Sequence, residues 1–305
     1  MDLGNQHNTD NRFFTAMISG GLGNQIISFA KVWNFAINNS LILSLDKSYY
    51  EPINFKQLTA KGHEYHDFQL DQFSLPKNSD GSAVHFENIP INVGMKHFRA
   101  QRIFVQKLFP FFFKNFYVHK DLHGFKPPKY KFRLYGNFLE LEAIDLMKDL
   151  GGSINLPNLM NDDASNDEYF NDAIHLHVRM GDLIRVMPNL KLTLEYYQTS
   201  IEYLRNGRRS PLVVVYSDHE TQAHDFLSNL KCKVSICSPT LNGFTSTSQQ
   251  FASFMKARNK ISSNSSFSAS AARLGDKNSI TCVPPTIEQI YGKVRKNEGW
   301  VVINA

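Results

Sequence analysis

Hydrophobic and polar positions alternate most regularly in the second half of the chain, where short apolar runs of strand length are separated by segments with helical spacing. Strands are predicted at Ala173–Arg179, Pro211–Ser217, Lys233–Cys237, Lys260–Ser263 and Ser279–Val283, and helices at Leu194–Arg205, between Asp218 and Leu230, at Ser248–Arg258, after Asn264–Ser268 and from Thr286. Strands that alternate with helices predict an α/β fold with a parallel sheet, in which ligands bind at the carboxyl ends of the strands.

The first half opens with a similar unit. The apolar run Phe13–Ser19, a glycine-rich turn, a helical pattern and the strand Leu41–Asp46 follow one another. Two further strands and a helix are predicted at Ile89–Val93, Tyr130–Tyr135 and Phe138–Leu150. The segment Gly151–Asp172 is rich in Gly, Asn, Asp and Ser, which is typical of a linker. We therefore predict two domains, at residues 1–160 and 161–305.

The composition is that of a globular protein. Of the 305 residues, 42% are hydrophobic and 12% aromatic, which is enough for sizeable cores and argues against disorder. The formal net charge of +5 is compatible with an anionic ligand or surface but identifies neither. Cys232, Cys237 and Cys282 form no CxxC pair, so we predict neither a disulfide framework nor a zinc site. The chain begins with a polar segment and has no run near the ~18 apolar residues of a membrane span, so we expect no signal peptide and a reducing compartment.

Charged and polar side chains gather at the predicted carboxyl edge of the second sheet. Arg179 lies on the same strand face as His177, and its planar donors suit a diphosphate. Asp218 follows the next strand, where a carboxylate can bind an amine edge such as that of guanine or cap the next helix. The turn Asn264–Ser268 opens a helix whose first N–H groups suit an anion. The alternatives are an arginine that is merely solvated or ion-paired, and an ordinary N-cap.

The glycine-rich turn of the first half admits three interpretations. Gly21 and Gly23, with Asp46 at the end of the next strand, imitate a dinucleotide-binding fingerprint, so an NAD-dependent oxidoreductase is one alternative. The third glycine of that fingerprint is missing, however, and the amides of Asn24 and Gln25 precede its position. The turn is then either a structural βα turn or a loop that contacts a different ligand with these amides.

A basic stretch with interleaved aromatic residues lies between the two halves. Residues 96–133 contain ten Lys or Arg residues and a single acid, Asp121. The part Lys96–Tyr117 is compatible with a helix on an anionic membrane or with a track for a phosphorylated acceptor. The alternative is a core helix with a solvated basic face. Nucleic-acid binding is not supported by any fold motif.

Five short motifs occur in order along the chain. They are GGLGNQ (Gly20–Gln25), HVRMGD (His177–Asp182), LTLEYY (Leu192–Tyr197), YSD (Tyr216–Asp218) and NSSFS (Asn264–Ser268). Together they resemble the α-1,2-fucosyltransferases of glycosyltransferase family 11, which typically read GGLGNQ, HxRRGDY, LPxxYY, FSDD and NSTFSWW. The resemblance implies a GT-B-like α/β fold of two Rossmann-type domains, with the donor site in the cleft and mainly on the C-terminal domain.

The resemblance also implies roles for individual residues. Arg179 would bind the diphosphate of the donor GDP-β-L-fucose and act in catalysis with His177 and Asp182, while Asp218 would contact guanine. Asn24 and Gln25 would face the fucose or the β-phosphate. The implied donor-binding set is Gly21, Gly23, Asn24, Gln25, Arg179, Asp218, Asn264, Ser265, Ser266, Phe267 and Ser268. No cofactor or metal is implied, and the chain has no Asp-x-Asp motif that would hold a nucleotide-bound cation.

The chain departs from the family pattern at several positions. Met180 replaces the second arginine, Leu183 replaces tyrosine, His219 replaces the second aspartate, Ala269 and Ser270 replace paired tryptophans, and Leu139-Glu140 replace a common Gln-Ser pair. These changes leave the donor class intact but put the acceptor and the rate in question.

The resemblance thus predicts an inverting transfer of L-fucose to the 2-hydroxyl of a glycan acceptor that ends in β-galactose, including lipid-linked oligosaccharides such as O-antigen intermediates. The catalytic base is open among Asp182, His177 and Glu140. We expect a cytoplasmic enzyme, with peripheral contact at the inner face of a bacterial membrane as a hypothesis. The alternatives are the NAD-dependent oxidoreductase and a catalytically inactive, glycan-binding relative.

Overall fold

The structure is a computed structural model, and it describes residues 12–51, 66–88, 116–118, 122, 126–127, 132–135, 138–155, 168–181, 184, 187–292 and 299–305. The predicted strand Ile89–Val93, the basic residues 96–115, Asp182 and Leu183 lie outside these ranges.

The described residues form eleven strands and seven α-helices. The strands are β1 (Arg12–Met17), β2 (Leu41–Asp46), β3 (His85–Glu87), β4 (Phe116–Val118), β5 (Phe132–Tyr135), β6 (Ile174–Val178), β7 (Leu212–Ser217), β8 (Ser235–Cys237), β9 (Asn259–Ile261), β10 (Ile280–Val283) and β11 (Trp300–Val302). The helices are α1 (Leu22–Asn38), α2 (Glu142–Asp149), α3 (Leu194–Leu204), α4 (Glu220–Leu227), α5 (Thr247–Lys256), α6 (Ser266–Leu274) and α7 (Thr286–Tyr291).

The strands form two sheets in which all pairings are parallel. The first sheet has the order β3-β2-β1-β5-β4 and the second has the order β11-β10-β9-β6-β7-β8. The predicted α/β fold with parallel sheets is confirmed. Because β6 lies between β9 and β7, the loops that follow these three strands meet at one edge of the second sheet.

Strand β6 is buried on both faces. Ile174, Leu176 and Val178 pack into one core, and the intervening His175 and His177 are only 0% and 4% exposed. Both faces of a parallel sheet are normally covered by helices, which accounts for the burial of the polar positions as well. The alternating pattern of β6 therefore separates two buried faces rather than a core face and a solvent face.

The two halves share one hydrophobic core. A single cluster of buried residues includes Phe14 and Ile26 from the first half and Phe251 and Ala271 from the second. Helix α6 follows a strand of the second sheet, yet it packs against α1 and α2 of the first half. Contact between the halves is therefore extensive at α6.

The predicted linker is only partly a linker. Asn155 forms an antiparallel bridge with Ser74, and Tyr169 and Phe170 are 7% and 5% exposed and belong to the shared core. Residues 156–167 lie outside the described ranges. The polar composition of the segment predicted a linker throughout, so the burial of the two aromatic residues at its end was not predicted.

Candidate active site

Asp218 holds the loop that follows β6. Its Oδ1 accepts a hydrogen bond from Met180 N (2.8 Å), its Oδ2 accepts one from Gly181 N (2.8 Å), and Arg179 Nη1 lies 3.0 Å from Oδ2. Burial raises the pKa of Asp218, but the Arg179 charge, the two N–H groups and His177 together hold this pKa below its usual value. Asp218 therefore fixes Arg179 through an ion pair and fixes the loop backbone through both carboxylate oxygens.

This arrangement bears on both sequence interpretations of Asp218. It does not cap α4, because its oxygens face the β6 loop and the N-cap residue of α4 is His219. Contact with guanine stays a prediction, and it would have to use carboxylate lone pairs beyond those that bind Met180, Gly181 and Arg179.

His177 is a neutral, buried part of the same edge. Its Nδ1 lies 2.6 Å from Ser263 Oγ, and its ring stacks on Phe267 with centroids 5.3 Å apart and an interplanar angle of 23°. Burial lowers the pKa of His177 to about 4, with opposing effects from the charges of Asp218 and Arg179. The side chain connects β6 to the turn after β9 and to α6, and its expected catalytic role stays a prediction.

Helix α6 begins at this edge. Ser265 is its N-cap and accepts a hydrogen bond from Phe267 N (3.3 Å), and no acidic residue lies in the first turn. The Ser268 hydroxyl points inward and lies 2.8 Å from Ser262 Oγ. The positive end of the helix is thus not neutralised by its own side chains, and Ser266 and Phe267 stand at the end that attracts anions.

Asn264 ties this turn to two other segments. Its Nδ2 donates to Leu190 O (2.8 Å), and its Oδ1 accepts from Thr286 Oγ1 (2.6 Å). Both ends of the amide are therefore engaged within the protein. Asn264 positions the turn, and its expected direct contact with the donor has no support in this geometry.

Tyr291 is a site residue that the sequence interpretation missed. It is 6% exposed, it ends α7, and its carbonyl oxygen accepts a hydrogen bond from Leu141 N (2.9 Å). Burial raises the pKa of Tyr291, while the side chain and N–H of Ser266 and the charge of Arg179 lower it. The hydroxyl therefore lies beside the first residue of α6 and in the field of Arg179, a placement that no short motif indicates.

Gln25 is a structural residue of the glycine-rich turn. It is 0% exposed, its Nε2 donates to Gly20 O (3.0 Å) and Asp67 O (2.8 Å), and its Oε1 accepts from Gln69 N (2.9 Å). Because both amide hydrogens are used, Gln25 does not face the fucose or the β-phosphate as a donor, contrary to the expectation. It instead fastens residues 67–69 to the turn.

The other residues of this turn face different neighbours. Asn24 is only partly buried, which is compatible with its expected ligand contact. A Cβ on Gly21 would meet the ring of His66 at 3.5 Å, so His66 is a second residue that sequence motifs did not reveal. Gly23 faces the backbone of Ser266 and Phe267, so the GGLGNQ and NSSFS motifs are in direct contact.

Asp46 does not resemble the acid that binds ribose in dinucleotide sites. It is 1% exposed, and its Oδ1 accepts a hydrogen bond from Ser48 N (2.9 Å). A ribose-binding carboxylate must reach the ligand, and this one lies inside the turn after β2. The geometry gives the NAD-dependent alternative no support.

The described part of the chain contains neither a cluster of metal-ligating side chains nor a helix that could span a membrane. Among the described residues, no three His, Cys, Asp or Glu side chains come together as a metal ion would require. No helix within the same residues combines the length and the apolar composition needed to cross a bilayer.

Comparison with known families identifies the chain. A model of glycosyl transferase family 11 matches residues 2–304. The chain belongs to glycosyl transferase family 11. The sequence resemblance is thus confirmed, and the protein is a glycosyltransferase.

Solved structures agree with the fold of a family 11 enzyme. The fucosyltransferase NodZ from Bradyrhizobium has a TM-score of 0.50 at 17% identity, covering 87% of this chain and 93% of NodZ. A structure of NodZ, described as an α-1,6-fucosyltransferase soaked with GDP-fucose, gives the same values. POFUT1 in complex with GDP-fucose is more distant, with a TM-score of 0.48 at 13% identity, covering 91% of this chain and 98% of POFUT1. The GT-B-like fold is thereby confirmed. A search of curated proteins finds no match.

The structure shows where three of the residues that depart from the family 11 pattern lie. Ala269 and Ser270, which replace paired tryptophans, are both 0% exposed in α6, where the helix packs against α1, so the change lies in a packed interface. Met180, which replaces an arginine, packs against the core of the second sheet. Arg179 is therefore the cation that the described part of the HVRMGD motif contributes to this edge.

The three candidates for the catalytic base fare differently. Glu140 Oε2 lies 2.5 Å from Lys31 Nζ, so its carboxylate is already paired. His177 uses Nδ1 on Ser263 and is buried. Asp182 lies outside the described residues, directly after Gly181, whose N–H is held by Asp218. The catalytic base therefore stays a prediction.

Proposed function

We propose that this family 11 enzyme transfers L-fucose from GDP-β-L-fucose to the 2-hydroxyl of a β-galactoside, with inversion to an α-1,2 linkage. The observation that carries the proposal is the placement of Arg179, which Asp218 holds directly after β6 at the carboxyl edge of the second sheet, while His177 of the same strand stacks on Phe267 in the first turn of α6. NodZ shares the fold and is described as a fucosyltransferase soaked with GDP-fucose, which supports the donor class.

The proposed chemistry needs positive charge where the nucleotide leaves. As the bond between the sugar C1 and the phosphate oxygen breaks, negative charge grows on the diphosphate and positive charge grows on the sugar ring. Arg179 and the N–H groups at the start of α6 would stabilise the diphosphate charge, because they are fixed before the reaction. Since these groups supply the charge, we propose that neither a metal nor another cofactor is needed.

The acceptor side is assigned more coarsely. Acceptor O2 forms the new bond to C1 and gives its proton to a base, for which we propose Asp182, and Asn24 would contact the sugar or the β-phosphate from the first half. A positioned base contributes roughly 10²–10⁴ to the rate. The linkage and the galactose acceptor rest on the family motifs, since NodZ itself is described as an α-1,6 enzyme.

The first experiment incubates the protein with GDP-fucose and a panel of β-galactosides in EDTA. An α-1,2-specific fucosidase then tests the linkage of the product. Arg179→Ala should lower kcat by about 10²–10³, as for the loss of other preorganised charge donors. Arg205→Ala is the matched control, because this arginine is 37% exposed and lies 4.0 Å from its partner Glu202.

The possible outcomes test the proposed donor separately from the proposed linkage and acceptor class. Arg179-dependent transfer that is sensitive to the fucosidase would support donor, linkage and acceptor class together. GDP binding without transfer to any acceptor would favour an inactive relative or another GDP-sugar. Absence of both GDP binding and transfer would refute the proposed donor site.

We also propose peripheral contact with an anionic membrane on the cytoplasmic side, with a lipid-linked oligosaccharide as acceptor. The basic, aromatic stretch Lys96–Tyr117 supports this, although residues 96–115 lie outside the described ranges. Charge reversal of Lys107 and Lys114 should release the protein from anionic liposomes. Unchanged liposome binding would refute the membrane contact without affecting the proposed reaction.

A further inference from the structure

The first turns of α1 and α6 touch at a single glycine. A Cβ on Gly23 would lie 2.2 Å from the carbonyl carbon of Ser266, 2.3 Å from Phe267 N and 2.4 Å from Ser266 O. Ordinary van der Waals contact begins at 3.4 Å, and all three atoms belong to backbone that cannot rotate away. The contact therefore admits no side chain at position 23.

Backbone conformation does not require this glycine. Gly23 lies inside α1 and is absent from the residues with positive φ, whereas Gly20, with φ of 83°, does need that freedom. Gly23 is the second residue of α1, where an alanine would also adopt the helical backbone. The close approach of α6 therefore accounts for the glycine.

The opposite end of α6 is also held by the first half. Arg273 Nε lies 2.8 Å from each carboxylate oxygen of Asp145, and these residues are 4% and 7% exposed. Lys148 Nζ donates to the Arg273 carbonyl oxygen (2.7 Å). Helix α6 is therefore clamped by the first half at its C-terminal end through α2, and at its N-terminal end through Gly23.

We propose that Gly23 is a positioning residue, through which the first half sets the place of the α6 N-terminus, so that the diphosphate site is assembled before the donor binds. This inference rests on the proposed function. Gly23 then acts through α6 rather than by contact with the donor, and its absent side chain determines how far Ser266 and Phe267 stand from Arg179.

Two alanine variants of α1 test the inference. In Gly23→Ala, the backbone of α6 must retreat, and a misplacement of about 1 Å at a reaction site can cost 10²-fold. We therefore expect kcat/KM to fall by about 10²-fold and the Kd for GDP to rise at least tenfold. Asn38→Ala is the control, because Asn38 is exposed and ends the same helix, at the end opposite to Gly23. Its constants should stay within about twofold.

The inference would be overturned by a Gly23→Ala enzyme whose thermal stability falls while its Kd for GDP and its kcat per folded molecule match those of Asn38→Ala, because the glycine would then be merely structural. A wild type that neither binds GDP nor transfers fucose would instead refute the proposed function, so the two failures are distinguishable.

A measurement on the wild type keeps the inference testable where Gly23→Ala does not fold. We expect hydrogen exchange at the α6 amides from Ala269 to Arg273, which hydrogen-bond within the helix and not to the donor, to be slow without GDP and to change less than about threefold when GDP is added. Fast exchange that becomes slow only with GDP would show that the donor assembles the site, and would overturn the proposal.

Discussion

Asp218→Asn separates two roles for this carboxylate, a brace for Arg179 and a contact for guanine. The substitution keeps the size of the side chain but removes its charge and replaces one acceptor oxygen by an NH₂ group. That NH₂ group must face the N–H of either Met180 or Gly181, since each carboxylate oxygen accepts from one of them. One backbone donor therefore loses its partner, and Arg179 loses its counter-charge.

The expected loss of stability follows from these contacts. A hydrogen bond to a charged group contributes about 1.5–3 kcal/mol, whereas an ion pair near the surface adds at most about 1 kcal/mol. The side chains of Arg179 and Asp218 are 18% and 14% exposed, so the loss of this ion pair lies between that of an exposed pair and that of a fully buried pair. The free energy of unfolding should fall by about 2–3 kcal/mol in the absence of any nucleotide.

The assay compares GDP with inosine diphosphate, which lacks the 2-amino group of guanine. If Asp218 is a brace, Asp218→Asn weakens both nucleotides by the same factor and lowers kcat, because Arg179 and its loop shift together. If Asp218 binds the guanine amine, the wild type prefers GDP and the variant loses that preference, with little change in stability. A tenfold preference corresponds to about 1.4 kcal/mol.

The brace interpretation is refuted if Asp218→Asn unfolds at the wild-type denaturant concentration and only the ratio of GDP to inosine diphosphate affinity changes. Asp225→Asn is the control, since it makes the same change on the exposed face of the next helix. A series of unfolding measurements at different pH values tests the direction in which the stability changes. Because the pKa of Asp218 is lowered in the folded protein, its contribution is complete above its unfolded pKa of 3.8 and is lost as the pH falls through the folded value.

Two further predictions concern buried charges. Asp145→Asn should lower the free energy of unfolding by about 3–5 kcal/mol, because it leaves Arg273 buried without its carboxylate. The control is Glu202→Gln, which removes the partner of Arg205 from an exposed pair at 4.0 Å and should cost under about 1 kcal/mol. Equal losses of the two variants in urea denaturation would contradict this prediction. Burial lowers the pKa of Lys260, which is 0% exposed, from 10.5 to about 7. Between these two pH values the unfolded chain binds one more proton than the folded protein, so the free energy of unfolding should rise with pH, by about 2 kcal/mol from pH 7 to 9. This rise should disappear in Lys260→Met, and a rise that persists in the variant would have to come from other groups.

Much of the second half could be predicted from the sequence because its strands and helices differ in hydrophobic period. The strand expected at Ala173–Arg179 is β6 at Ile174–Val178, and the helix expected at Leu194–Arg205 is α3 at Leu194–Leu204. The three-residue strands β3, β4 and β11 were missed, whereas β8 and β9, which are equally short, were predicted from the alternation of strands and helices around them. The predicted strand Lys260–Ser263 began one residue late and ended two residues late, because Ser262 and Ser263 belong to the turn.

The roles of the polar motif residues were harder to predict than their location. The motif residues that follow β6, β7 and β9 lie together at one edge of the second sheet, but an amide that binds a ligand and an amide that binds a distant backbone look alike in a sequence. Gln25 hydrogen-bonds Asp67 and Gln69, which are 42 and 44 residues away, and Asn264 hydrogen-bonds Leu190 at a separation of 74 residues. Such partners are set by tertiary packing, which no local pattern reports.

Few groups would face the ligand in the proposed site, whereas many residues hold those groups in place, and the chemistry explains why. A guanidinium or a helix terminus stabilises a leaving diphosphate only if it is already in place, since reorganisation during the reaction would cost the energy that it supplies. Asp218 fixes Arg179, and Asn264 and Gly23 fix the start of α6 from opposite sides. The fixed residues are drawn from both halves of the chain. In the proposed site, the positive charge near the diphosphate would therefore depend on the packed interface between the halves, and not on the C-terminal half alone.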